Sequence, residues 1–219
     1  ARSRIPTIMT DASQAIPTDT ILTTHLKKLT DGQRLKLAVR NHGLALLAAV
    51  TLWAAADAWL LQSNLLLASS LAVLNAFAAM TIAATIFHEW GHFIGARLAK
   101  SYSPMVPDPR GTFIFGFNFA KNTRHQFLAM SIGGSVANWL LVLIVATCIP
   151  LDNAGRIMLF AVAVARGISV LMFEVPIMLG VMNGGEPEAE LNKGESNGSG
   201  DRGQAIGYGI GALIWLVAL

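Results

Sequence analysis

His88-Glu89-Trp90-Gly91-His92 places two imidazoles and a carboxylate within five residues of a chain that holds five histidines in all. On a helix, residues four apart stack on one face with Cβ atoms roughly 5 to 6 Å apart, so His88 and His92 can point at one ion. Imidazole nitrogen is a natural zinc ligand. Glu89, one step round the helix, reaches a water at such an ion without being a ligand itself, which is where a general base belongs. A catalytic zinc takes a third protein ligand, so the pattern asks for another His, Asp, Glu or Cys from elsewhere. His125, Asp57, Asp152, Glu174 and the acids beyond residue 183 are the supply.

The elements that must position these groups are membrane helices. The 219 residues are 53% hydrophobic and 13% charged, with a mean hydropathy of +0.53, outside the range of an ordinary soluble domain. Charge-free apolar runs of roughly 20 residues span a hydrocarbon core, and the chain holds several, so a lipid bilayer is its first partner. The net charge of +3 does not argue for nucleic acid, because the basic residues mark the ends of apolar segments instead of forming one patch. Cys148, the single cysteine, lies in an apolar run and reads as a small packing residue.

Residues 1–42 carry seven Lys or Arg against three Asp, without the apolar stretch of a signal peptide, and read as a cytoplasmic segment. Within it Ile21, Leu22, Leu26 and Leu29 repeat at helical spacing, which suits a short helix on a membrane face. A first span is expected over Gly43–Gln62, with Asp57 near its far end and Arg166 as an available ion-pair partner. The second runs from Leu65 to Phe87 and continues through HEWGH to Leu98. Short links make neighbouring spans antiparallel, and the basic N-terminus puts the HEWGH end toward the cytoplasm. Between residues 101 and 125, prolines give way to Thr112–Phe117, whose aromatic and β-branched content predicts a short strand or hairpin at the cytoplasmic surface, with an edge open to an extended substrate. The third span, Phe127–Ile149, contains Gly133, Gly134 and Ser135 as packing residues and Asn138 as a polar group in need of a partner. The fourth, Ile157 to Met182, carries Arg166, Glu174 and Pro176, and the proline is expected to bend or unwind it near Glu174. Residues 183–204 read as a flexible cytoplasmic loop, and 205–219 as a marginal or shortened fifth span.

Together these motifs resemble the site-2 protease family of intramembrane metalloproteases. That family carries HExxH on one membrane helix, a Gly-Pro-x-x-Asn motif on the next core helix, and Asn-x-x-Pro followed by Asp-Gly on the third. His88–His92 fits the first; Gly134-Ser135-Val136-Ala137-Asn138 fits the second with Ser for Pro. In the third, Phe173-Glu174-Val175-Pro176 and Met182-Asn183-Gly184-Gly185 carry Glu where the family has Asn, and Asn where it has the ligating Asp. The likeness covers residues 65–185. It implies zinc on His88, His92 and a third ligand, with Glu174 favoured over Asn183 and Glu186 because zinc prefers an anionic carboxylate oxygen.

The expectation is therefore an all-α, multi-pass membrane protein: a polytopic helical bundle with four spans over 43–182, a three-helix metalloprotease core, and a strand or hairpin insertion. Its implied activity is that of a zinc metalloendopeptidase cutting a membrane-spanning or membrane-anchored protein near the cytoplasmic leaflet. Glu89 would be the base, and Asn138 would hold the substrate backbone or oxyanion. The alternative is a non-proteolytic protein of the same fold that grips transmembrane helices as a chaperone or regulator.

Overall fold

Local signals start and stop each helix where the apolar runs begin and end. The computed structural model describes residues 29–109 and 111–219. The helical repeat expected over Ile21–Leu26 lies outside the described residues, and Leu29 stands at their edge. Helix α1 spans Asp31–Ser63 and opens with a capping box, in which Thr30 and Gln33 satisfy each other's backbone N–H groups. It is longer than the expected span by a polar turn and more. Asn64, in the left-handed conformation with φ 52°, ends it and returns its N–H to the Leu60 carbonyl. Helix α2 follows at once over Leu66–Leu98 and carries HEWGH in its last third. Helix α3, Arg124–Cys148, opens with a second capping box between Thr123 and Gln126. Helix α4, Ala154–Met182, is capped by the Asn153 side chain, which accepts from the Arg156 N–H.

These are the four described helices long and apolar enough to cross a membrane. Helix α4 is the most enclosed of the four and α1 the least, so α4 is the axis of the bundle and α1 its flank. Helices α2 and α3 meet through small residues: a Cβ built on Gly91 would stand 2.3 Å from the Gly133 carbonyl oxygen, and one on Gly95 would stand 2.3 Å from that of Ala129. The glycine inside HEWGH is thus what lets α3 approach the two histidines.

Three expectations change. Helix α4 runs unbroken through Pro176, because that residue removes only one N–H donor, and flanking turns of a packed helix hold their geometry. Residues 183–204 form no loop: α5 spans Pro187–Ser196 and α6 spans Ser199–Ala218. Proline at the first helical turn, followed by Glu188 and Glu190, starts α5 where a polar composition suggested disorder. Helix α6 seats Gly207 against the Ala165 carbonyl and Gly211 against that of Ala161, while the Trp215 indole N–H donates to the Ala154 carbonyl at 2.9 Å. The strand expected over Thr112–Phe117 is absent from the described residues; a single antiparallel bridge joins Met105 and Phe115. Pro104, Pro107 and Pro109 remove donors from one side of the pairing, so the ladder stops after a few bonds, among them Val106 N–H to Ile114 O and Gly116 N–H to Pro104 O.

Two smaller differences concern side chains. Asp57 pairs with Arg156 at 2.7 Å and accepts from the Asn153 amide at 2.9 Å, not from Arg166. Arg166 lies further along α4, where its guanidinium donates to the Thr85 hydroxyl at 3.4 Å. Cys148 is exposed at the end of α3 instead of packed.

Candidate metal site

Three donor atoms from two helices converge between α2, α3 and α4. His92 Nε2 stands 3.0 Å from His88 Nε2 and 3.0 Å from Glu174 Oε1, and His88 Nε2 stands 3.6 Å from the same oxygen. Four-coordinate zinc with ligands at about 2.0 to 2.1 Å holds those ligands roughly 3.3 Å apart, so the triangle has the size of three corners of such a site. Among the described residues this is the one group of three His, Cys, Asp or Glu side chains whose ligand atoms all lie within 4.8 Å of one another.

The second atom of each donor is held as well. His92 Nδ1 lies 2.9 Å from the Met130 carbonyl oxygen, which can only accept, so Nδ1 carries a proton, and in the neutral form of the ring the lone pair is on Nε2, facing the triangle. Glu174 Oε2 accepts a hydrogen bond from the Ser135 hydroxyl, leaving Oε1 for the histidines. His88 Nδ1 lies 3.1 Å from the Asn138 amide. Gly134 supplies the room: a Cβ there would stand 2.4 Å from His92 Cε1. Gly134, Ser135 and Asn138 therefore all act on the three donors through neighbouring atoms.

Of the expected third ligands, only Glu174 reaches the histidines. Asn183 caps the C-terminus of α4, nine residues on, which is about 13 Å along a continuous helix. Glu186 pairs with Arg124 at 2.5 Å on the surface. Asp57 and Asp152 are held by Arg156, and His125 stands apart in a groove with Leu128 and Met178. Asn138, expected to face substrate, is 1% exposed and is turned toward His88.

A cavity of about 340 Å³ opens beside the triangle. His88, Glu89, His92 and Glu174 line it together with Ser131, and Phe113, Phe115, Phe117, Phe127 and Phe173 form much of the remaining wall. The Glu89 carboxylate is buried and faces this space without belonging to the three-donor cluster. The cavity's aromatic wall comes partly from the irregular segment before α3, so the Phe113, Phe115 and Phe117 side chains do serve the site although no strand forms. Reading the sequence missed Ser135 as an orienting group; its signal was position, three residues before Asn138 and so on the same helix face. It also missed Leu191 and Glu195, which reach the cavity from α5.

Comparison with models of protein families, with curated proteins and with solved structures finds no match to this chain.

Proposed function

We propose that this protein is a zinc-dependent endopeptidase working inside the membrane, of the kind the site-2 protease family represents, and that it cuts a membrane-spanning or membrane-anchored protein at the end of the bundle where HEWGH lies. The observation that carries the reading is the triangle of His88 Nε2, His92 Nε2 and Glu174 Oε1, with Glu89 facing the same cavity. These three side chains would hold the metal. A bound zinc ion supplies acidification of a water and polarisation of a carbonyl.

The chain's own residues do the rest. Glu89 takes a proton from the attacking water on its carboxylate and passes it to the leaving amine nitrogen. The Met130 carbonyl fixes the His92 tautomer, and Ser135 fixes the Glu174 rotamer. Asn138 does the same for His88: the buried Oδ1 has no partner here, and an amide turned over brings that oxygen onto His88 Nδ1–H, the tautomer that frees Nε2. The phenylalanines keep water away from all but the reacting end and accept apolar side chains of an unwound segment. The basic residues Arg97, Lys100, Lys121 and Arg124, which follow HEWGH in the chain, support a cytoplasmic placement of this end.

The test is hydrolysis of a single-span peptide by the purified protein in lipid. Cleavage should stop on chelation and return with added zinc; a fully chelated protein that cleaves at the original rate would overturn the proposal.

A further inference from the structure

Helix α5 presents one side to the cavity, and that side ends in a carboxylate. Leu191 and Glu195, four residues apart and so on one helix face, both line the cavity wall. The helix is pinned. Gly194 is buried, and a Cβ on it would stand 2.8 Å from Ile177 Cδ1 and 3.6 Å from Phe173 Cε2, so α5 lies directly on the cavity-lining part of α4. Leu191 packs into the apolar cluster of Phe127, Ile177 and Val181. At the other end, Arg124 pairs with Glu186 and the Glu190 side chain folds over Gly180 and Gly185. Glu195 is therefore held at the rim by the seating of its neighbours.

Two cations near α5 are already engaged, Lys193 with Glu190 at 3.7 Å and Arg124 with Glu186, and Arg202, at the start of α6, makes no ion pair with Glu195. Among the described residues the Glu195 carboxylate has no ion pair and no hydrogen bond. An anionic group lining the same cavity as Phe173 and Phe117 is a receptor for a long cationic side chain: the rings take the aliphatic stem and the ring faces attract the charge. Membrane proteins supply such a side chain at this level, since Lys and Arg concentrate just beyond the cytoplasmic ends of their spans.

We infer that Glu195 is a specificity-determining residue that selects substrates with a Lys or Arg at the juxtamembrane position next to the segment entering the cavity. This rests on the peptidase reading of the same site. Three single-span peptides differing only at that position, Lys, Gln or Glu, separate the two ideas. With the protein in lipid, kcat/KM should favour Lys over Glu by about tenfold, fall to near equality in Glu195→Gln, and reverse in Glu195→Lys. A Lys-to-Glu ratio that stays the same in all three proteins overturns the inference. Affinity of the same peptides for Glu89→Gln protein, read by fluorescence anisotropy, gives a second readout independent of turnover. Binding ordered Lys, Gln, Glu and reversed by adding Glu195→Lys supports the inference even where no peptide is cut, an outcome that would remove the peptidase reading alone; equal binding of the three overturns it.

Discussion

Two clusters of ionisable side chains are built into this bundle, at opposite ends of α4, and they solve the cost of charge in lipid in opposite ways. At the start of α4, Asp57 receives two hydrogen bonds from Arg156 and one from Asn153, and Arg156 also reaches Asp152, so each buried charge is met by its complement. Toward the other end, His88, His92 and Glu174 bring three electron-pair donors together, backed by Ser135, Asn138 and the Met130 carbonyl, with no Lys or Arg paired to them among the described residues. The first arrangement is complete as it stands. The second leaves three donors facing one centre with no cation of the protein's own to meet them among the described residues, and it opens on a cavity of about 340 Å³. An ion-pair cluster ties helices together; a donor cluster beside a void leaves room for a ligand.

Substitutions can break this contrast at several depths. The largest effect is expected from Glu89→Gln, which keeps the shape and the three donors but removes the proposed proton carrier: peptide cleavage should fall about 10²- to 10⁴-fold while zinc content is unchanged. Next come residues that touch the donors without being ligands. In Gly134→Ala the new Cβ displaces the His92 ring from Met130, and Asn138→Ala leaves His88 Nδ1 without its partner; each should weaken zinc affinity by about 10- to 100-fold, measured by competition with a chelating dye. The smallest effect is expected at the other cluster. Asp57→Asn should lower the stability of the purified protein in detergent by about 1 to 3 kcal/mol, since it strips Arg156 of its closest counter-charge, and leave zinc affinity where it was. Loss of zinc in Asp57→Asn would erase the distinction between the two clusters.

The sequence made the spans legible because apolar runs of that length with so few charges have one physical use, and it made His88 and His92 legible because their spacing is that of one helix face, with Glu89 one step round from it. What it left open depended on facts that spacing does not contain. Asp57 could pair with any arginine on a neighbouring span, and the partner is Arg156 because the far end of α1 lies beside the start of α4, capped by Asn153. Choosing between Glu174 and Asn183 required knowing that α4 continues through Pro176, which keeps Asn183 well below the histidines. Helix α5 did carry a signal, a proline at the first turn with Glu188 and Glu190 after it, but overall polarity outweighed it in the reading of residues 183–204. The strand at Thr112–Phe117 failed for the converse reason: its own residues favour extension, while the facing prolines cannot pair with it for long.

The central claim is that the three-donor cluster holds zinc and the ion-pair cluster does not. Elemental analysis of purified wild-type protein beside His92→Ala, Glu174→Ala and Asp57→Asn measures it most directly. The account predicts about one zinc per chain in wild type and Asp57→Asn, with strong depletion in both ligand variants. Wild-type protein without zinc after purification in its presence, or full zinc content in Glu174→Ala and His92→Ala alike, would contradict it and favour a membrane-helix-binding protein that has no peptidase chemistry.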